Sequence, residues 1–228
     1  MKLTILGKYG PYPKAGAACS GYLVESKGAK IVLDMGAGTL SRLLSLVDIR
    51  EVDAIILSHL HYDHTSDLLP LRYLLEEIDH NVKIYAHTDD SEWCKILLNH
   101  KNFLLTHIDE NTTLDIGGNN VSFLLMNHSV DNYAIKITGD RTLAYTGDTK
   151  YTDKVYTLMS GANALLADCA KPYGFGGPHM NVSDAIAFAR DKDVKIIATH
   201  WGAGYNPTDD LKGYENIILP EELATYNI

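Results

Sequence analysis

A dense group of metal-competent side chains occurs in His59-Leu60-His61-Tyr62-Asp63-His64, directly after the apolar run Ala54–Leu57. Burying such side chains without partners is costly, because an unpaired polar group loses several kcal/mol of hydration. The first two histidines are two residues apart, so on an extended strand end they point to the same side. The following turn would carry Asp63 and His64 toward a second position. We interpret the segment as part of two adjacent metal sites; the alternative is a polar loop with surface histidines.

Three further ligand-type residues each follow an apolar, strand-like run. His128 follows Val121–Met126, Asp148 comes shortly after Leu143–Tyr145, and His200 follows a run that ends at Thr199. Loops at strand ends commonly carry functional groups, although each residue alone is also typical of a structural histidine or a turn. Seven candidate ligands result, namely His59, His61, Asp63, His64, His128, Asp148 and His200. Seven ligands suffice for two metals that share a carboxylate and keep an open position.

The elements that must position these residues are short β-branched strands mixed with amphipathic helices. The predicted strands are Leu3–Leu6, Gly21–Val24, Ile31–Leu33, Ala54–Leu57, Val82–Tyr85, Val121–Met126, Tyr133–Ile137, Leu143–Tyr145, Ala164–Leu166 and Lys195–Ala198. Helical spacing occurs at 40–47, 68–78, 93–97 and 182–189, and Asn181 with Asp184 gives the last helix a start signal.

A second run of strands begins near 127–131, which favours two similar halves within a single domain over 1–228. We therefore predict an α/β fold in four αββα layers. Two mixed β-sheets would pack face to face, with helices on the outside.

The composition is that of an ordinary globular chain of 228 residues, with 46% hydrophobic residues and a net charge of −9. The acidic balance argues against stable nucleic-acid binding or membrane association, since both need clustered cations. We expect a cytoplasmic protein, because the first residues are unlike a signal peptide and no apolar run is long enough for a membrane span. The sequence leaves a homodimer open. Three widely spaced cysteines predict buried thiols rather than disulfides.

The segment His59–His64 resembles the H-x-H-x-D-H signature of the metallo-β-lactamase fold superfamily. The later positions His128, Thr146–Thr149 and Thr199-His200 are similar to the metal motifs of that family, in the same order. The opening of the chain resembles the ribonuclease Z-like branch, through Leu6-Gly7, Cys19–Val24, Leu33–Gly36 and His128–Tyr133.

The resemblance implies two divalent metal ions, with zinc expected and manganese or iron as alternatives. It implies one ion at His59, His61 and His128, a second ion at Asp63, His64 and His200, and Asp148 as the bridge between them. Asp34 would hydrogen-bond a ligand histidine, although a plain turn residue before Gly36 is an equal alternative. His80, His87, His100 and His107 have no partner ligands nearby, and we assign them no role.

The chemistry implied is metal-dependent hydrolysis, in which two ions activate a bridging hydroxide. We predict a phosphodiesterase that acts on a small-molecule or short nucleotide phosphodiester, with Asp63 and His179 in catalytic roles. His179 precedes the helix near Val182 and would protonate the leaving group, while a hydrogen-bonded loop histidine is the alternative. A thioester or lactone hydrolase is the second hypothesis, and a non-catalytic metal-binding protein is the third.

Two departures from the ribonuclease Z pattern weaken the expectation of tRNA processing. The interval from His128 to Asp148 is short, and no other segment could form the long arm by which that enzyme grips transfer RNA. Where that family commonly has Glu followed by Ala-Thr, this chain reads Asp168-Cys169-Ala170. We therefore expect weak or absent processing of precursor tRNA.

Overall fold

The computed structural model describes residues 1–191 and 193–228 and contains two seven-stranded β-sheets. The strands of the first sheet are β1 (Lys2–Gly7), β2 (Gly21–Ser26), β3 (Ala29–Leu33), β4 (Ala54–Ile56), β5 (Val82–Ala86), β6 (Phe103–His107) and β14 (Thr225–Asn227). Those of the second sheet are β7 (Thr113–Ile116), β8 (Asn119–Leu125), β9 (Tyr133–Thr138), β10 (Thr142–Tyr145), β11 (Ala164–Asp168), β12 (Lys195–Thr199) and β13 (Ile217–Ile218).

Both sheets are mixed and follow the same pattern. In the first sheet, the order β14-β1-β2-β3-β4-β5-β6 is antiparallel as far as β3 and parallel from β3 to β6. In the second, β7 to β10 pair antiparallel and β10 to β13 pair parallel. The carboxyl ends of β8, β10, β11 and β12 therefore lie at one edge, where chain segments from several strands can meet.

The helices are α1 (Thr39–Leu44), α2 (Tyr62–Thr65), α3 (Leu68–Glu77), α4 (Glu92–Leu98), α5 (Lys154–Met159) and α6 (Val182–Phe188), with a 3₁₀ turn at Ile49–Glu51. Asn181 and Asp184 form the predicted capping box at the start of α6. Among the described residues, we find no helix that combines the length and the apolar character needed to cross a membrane.

Three apolar clusters separate four layers. The largest lies between the sheets and includes Ile5, Tyr22 and Ile135. A second cluster joins the outer face of the first sheet to α1, α3 and α4, and a third joins the second sheet to α5 and α6. The predicted αββα sandwich is confirmed. The three cysteines are free and buried, as expected.

The segment between β6 and β7 joins the two sheets, and β14 at the end of the chain returns to the first sheet. The chain passes from the first sheet to the second between His107 and Thr113, ahead of the boundary expected near 127–131. The physical reason is that the hairpin β7–β8 pairs with β9 and so belongs to the second sheet.

Candidate metal centre

The histidine-rich segment changes from extended to helical conformation at His61. His61 is extended (φ −65°, ψ 153°) and precedes α2, so His59 and His61 lie on the strand side of the turn. Asp63 and His64 lie within α2 and are buried. The predicted division of the segment into two directions therefore has a structural cause, since α2 rotates the chain immediately after the second histidine.

The other candidate ligands come from the shared edge of the second sheet. His128 follows β8, Asp148 follows β10 and His200 follows β12, and these strands run in the same direction. His200 has a positive φ of 58°, a conformation that non-glycine residues adopt rarely and that is enriched at functional sites. A Cβ on Gly10 would lie 2.0 Å from His200 Nε2, so the glycine lets the backbone pass closely over this imidazole.

Four of the predicted residues form what we call the outer ligand set: His59, His61, His128 and Asp148. One ligand atom from each lies within 4.8 Å of the others. His61 Nδ1 is 3.0 Å from His59 Nε2 and 3.2 Å from His128 Nε2. Asp148 Oδ2 is 3.7 Å from His59 Nε2 and 3.8 Å from His128 Nε2. Three imidazole nitrogens and one carboxylate oxygen thus converge on one position.

The inner ligand set consists of Asp63, His64, His200 and, again, Asp148, with ligand atoms within the same 4.8 Å limit. His200 Nε2 is 3.1 Å from Asp63 Oδ2 and 3.3 Å from Asp148 Oδ2. His64 Nε2 is 3.2 Å from Asp148 Oδ1. Asp148 therefore faces both sets, and the structure brings all seven predicted ligands together.

Unsatisfied polar atoms show that these residues fit a metal. His64 Nε2 and Asp148 Oδ1 are buried and lie 3.2 Å apart, but neither forms a hydrogen bond of good geometry with the other or with any further described residue. Leaving a buried polar atom unpaired costs about 1–3 kcal/mol. Imidazole and carboxylate are ligands of zinc and of neighbouring transition metals, so an ion would satisfy both atoms.

Asp34 contacts His64 of the inner set directly and is linked to His59 of the outer set through Ser58. It is fully buried, and its Oδ2 accepts hydrogen bonds from His64 Nδ1 at 2.7 Å and from Ser58 Oγ at 2.8 Å. Ser58 Oγ is in turn 3.0 Å from His59 Nδ1, and Tyr145 donates its hydroxyl to Asp34 at 2.7 Å. The predicted contact with a ligand histidine is confirmed, and it leaves Nε2 of His64 facing the site.

Burial controls the protonation of the outer histidines. It lowers the pKa of His59 well below the usual value, and the neighbouring His64 lowers it further. Burial also lowers the pKa of His61 and of His128. These imidazoles are neutral at pH 7, which is the form that binds metal.

Carboxylates dominate the inner set. Burial by itself would lower the pKa of His200, but Asp148, Asp63 and Asp168 together raise it to about 9. The pKa of His64 is also raised, because Asp148, Asp34 and Asp63 outweigh its burial. Burial opposes ionisation of Asp148, but the charges of His200 and His64 hold its pKa well below the usual value.

His179 lies beside both sets and pairs with Asp168. Its Nδ1 is 2.9 Å from Asp168 Oδ2 and 3.7 Å from Asp148 Oδ2, and its ring stacks on His200 at 5.0 Å. The carbonyl of Pro178 is 3.2 Å from His128 Nδ1, so the same loop orients an outer ligand. Ligand atoms of Asp148, Asp168, His179 and His200 also lie within 4.8 Å of one another.

Sequence reasoning missed the part played by Asp168. This residue ends β11, is buried, and accepts hydrogen bonds from the backbone N–H groups of Thr149 and Ala170. The available signal was its place at the end of a strand parallel to those that precede Asp148 and His200. The four histidines without a predicted role, His80, His87, His100 and His107, lie outside the three ligand groups found among the described residues.

Comparison with known proteins gives the same family. A beta-lactamase superfamily domain matches residues 19–201. The probable metallo-hydrolase YhfI of Bacillus subtilis is 32% identical over 211 residues, which cover 88% of this chain and 86% of YhfI. A ribonuclease Z of Methanopyrus kandleri is 37% identical over 92 residues, or 40% of this chain and 33% of that protein.

Solved structures agree with this assignment. The crystal structure of YhfI, described as a metallo-beta-lactamase fold protein, superposes with a TM-score of 0.90 at 29% identity and covers 99% of each chain. A diphosphatase of the PhnP family superposes with a TM-score of 0.78 at 17% identity, covering 100% of this chain and 97% of its own, and shows the fold alone. The chain therefore belongs to the beta-lactamase superfamily, among the metallo-hydrolases that share this fold.

Proposed function

We propose that the chain is a dinuclear phosphodiesterase that cleaves a small or single-stranded phosphodiester. The observation that carries this proposal is the position of Asp148 between the two ligand sets. Its Oδ1 is 3.2 Å from His64 in the inner set, and its Oδ2 is 3.7 Å from His59 in the outer set. A carboxylate shared by two adjacent sets of ligands would hold two ions close together, as in the two-metal sites of phosphatases and nucleases.

The two sets would each hold one divalent ion, and we propose zinc, with manganese and iron as ions that the same ligands accept. When bound, such ions supply Lewis acidity toward phosphoryl oxygens and generate a nucleophile at neutral pH. Asp34 would keep His64 and His59 in the orientation that this binding needs, through the hydrogen bonds described above.

Proton transfer falls to two residues of the chain. His179 Nδ1 is held by Asp168, which leaves Nε2 free to give a proton to the departing oxygen. Burial opposes ionisation of Asp63, but His64 and His200 lower its pKa, so Asp63 is a carboxylate at pH 7. The carboxylate oxygen of Asp63 that does not face the inner set would accept the proton released by the attacking water.

The similar proteins support a phosphate substrate. One is named ribonuclease Z, although the similarity spans about a third of that protein, and a structural neighbour is named a diphosphatase. We propose a small substrate rather than folded RNA, because the chain has a net charge of −9 and lacks an arm insert between His128 and Asp148. Recognition of folded RNA needs an extensive basic surface.

A parallel assay of two electrophiles tests the proposal. Protein loaded with zinc or with manganese is given bis(p-nitrophenyl) phosphate or an acyl thioester, with metal-free protein and the Asp148→Asn variant as controls. We expect metal-dependent turnover of the diester and little turnover of the thioester. Thioester turnover without diester turnover would replace the proposal with its second hypothesis, a thioester hydrolase of the same fold.

A further inference from the structure

A cavity of about 460 Å³ opens beside the outer ligand set and shares His61 with it. The remaining wall comes from the start of α2, the loop before α4, α4 itself and the loop after His128. The side chains that matter here are Tyr62, Asp89, Trp93, Val130 and Asp131. The volume lies within the range of small-molecule sites, so the cavity can hold one ring-sized group next to the metal centre.

The walls of this cavity are aromatic and apolar. Tyr62 is 66% exposed and meets the half-buried Trp93 edge to face, with ring centroids 4.5 Å apart. Trp93 Nε1 donates to the carbonyl of Leu60 at 2.8 Å, which fixes the indole in place. Val130 is 42% exposed. Such exposure next to the metal centre leaves ring surface free for contact with a ligand.

The polar lining of the cavity includes two carboxylates beside His61, His87 and Ser91. Asp89 and Asp131 line it, and Asp131 Oδ2 is 3.2 Å from Nε2 of His87, which lies on the same wall. None of the described lining residues is lysine or arginine. A second phosphate or a carboxylate would meet like charge here, whereas a neutral ring with hydrogen-bond donors would not.

We propose that this cavity binds a neutral aryl or heteroaromatic group of the substrate, and that Asp89 and Asp131 exclude a second anionic group. The inference rests on the proposed function, since the ring is taken to be esterified to the phosphate that lies at the two ligand sets. It narrows the substrate to singly charged phosphodiesters that carry a flat, neutral substituent.

Binding of two phosphate monoesters by zinc-loaded protein tests the aromatic wall. Phenyl phosphate and methyl phosphate share the phosphate and differ in the ring. The ratio of their affinities, measured by calorimetry, therefore gives the contribution of ring binding in the cavity. We expect phenyl phosphate to bind about 5- to 150-fold more tightly, which is the range of one stacked ring. Trp93→Ala should bring the ratio near one, while Trp93→Phe should keep most of it.

Two further variants guard against a folding artefact. Val130→Ser, at an exposed position, should lower the ratio by less than Trp93→Ala does. Tyr73→Ala removes a 76% exposed tyrosine of α3 that does not line the cavity, and it should leave the ratio unchanged. An unchanged ratio in both Trp93→Ala and Val130→Ser would overturn the inference.

The acidic rim has its own test. 4-Carboxyphenyl phosphate should bind several-fold more weakly than phenyl phosphate, and Asp89→Asn combined with Asp131→Asn should remove that difference. Equal affinity of the wild type for both ligands would contradict the exclusion of anions.

These readouts separate the inference from the proposed function. If no diester is hydrolysed but the phenyl preference depends on Trp93, the phosphodiesterase proposal fails and the ring-binding cavity stands. If diesters are hydrolysed but phenyl and methyl phosphate bind equally, the cavity inference fails and the phosphodiesterase stands.

Discussion

The two ligand sets use similar side chains in different surroundings. In the inner set, Asp63, His64 and His200 are all buried, and Asp34 bonds His64 directly. In the outer set, His59 is also buried and the His128 side chain is only 2% exposed, but His61 is half-buried and borders the open cavity. From this difference we predict that the inner set retains its ion more firmly and that substrate enters beside the outer set.

The two sets also differ in charge. The inner set combines two carboxylates with two histidines, whereas the outer set combines three histidines with one shared carboxylate. In the metal-free chain, the inner histidines therefore carry protons and the outer ones do not, as their pKa shifts indicate. Without metal, the outer histidines are therefore in the neutral form that binds an ion, whereas the inner histidines form ion pairs with carboxylates.

Asp148→Asn should give the largest effect, because it breaks the element common to both sets. The loss of several kcal/mol of transition-state stabilisation corresponds to a fall in kcat on the order of 10³-fold or more. Elemental analysis should show fewer ions per chain, and circular dichroism should show a retained fold. A variant that keeps both its ions and its activity would remove Asp148 from the bridging position.

His179→Ala tests a residue that we assign to neither set. We expect both ions to remain and the rate to fall about 10²- to 10⁴-fold on a diester with an alkoxide leaving group. On a p-nitrophenyl diester the loss should be much smaller, because p-nitrophenolate leaves without a proton. Equal losses would indicate phosphate binding, and a lost ion would make His179 a ligand.

Asp34→Asn should affect the two sets unequally, since Asp34 contacts His64 directly and reaches His59 only through Ser58. Removal of such a supporting carboxylate lowers metal affinity about 10- to 100-fold. In a zinc titration of Asp34→Asn, we expect the affinity of the inner set to fall more than that of the outer set. Equal weakening of both steps would show that Ser58 transmits the full effect to the outer set.

The pH dependence of zinc uptake should separate the sets further. A protonated histidine cannot bind metal, and the pKa of His200 is raised to about 9. Raising the pH from 7 toward 9 should therefore tighten binding at the inner set, by about tenfold per pH unit for each proton displaced. The outer set should respond little over this range, because its histidines are already neutral. Calorimetric titrations in buffers of different ionisation enthalpy would count the released protons.

The sequence predicted the regular elements well where their periodicity was strong. Each predicted strand is present to within two residues, because β-branched apolar runs bounded by turns carry a local signal. Four strands were missed. β6 and β7 each bury only one residue, and β13 and β14 are short and not buried. Two helices were also missed. The four residues of α2 are mostly polar and form no apolar face, and α5 spans only six residues.

The candidate site was predictable to a similar degree. The seven candidate ligands could be named because His128, Asp148 and His200 each follow a strand and the other four lie in one short segment after β4. The contact between Asp168 and His179 could not, since it joins β11 to a loop through tertiary packing. The cavity beside His61 was equally hidden, because α4 and the loop after His128 meet only in the folded chain.

The number of metal ions per chain tests the central claim most directly. We predict close to two transition-metal ions per chain in purified protein after mild dialysis, measured by elemental analysis. Metal-free protein should take up two zinc ions in titration, and its thermal stability should rise as they bind. A content well below one ion per chain, together with thermal stability unchanged by added zinc, would contradict the account of two ligand sets.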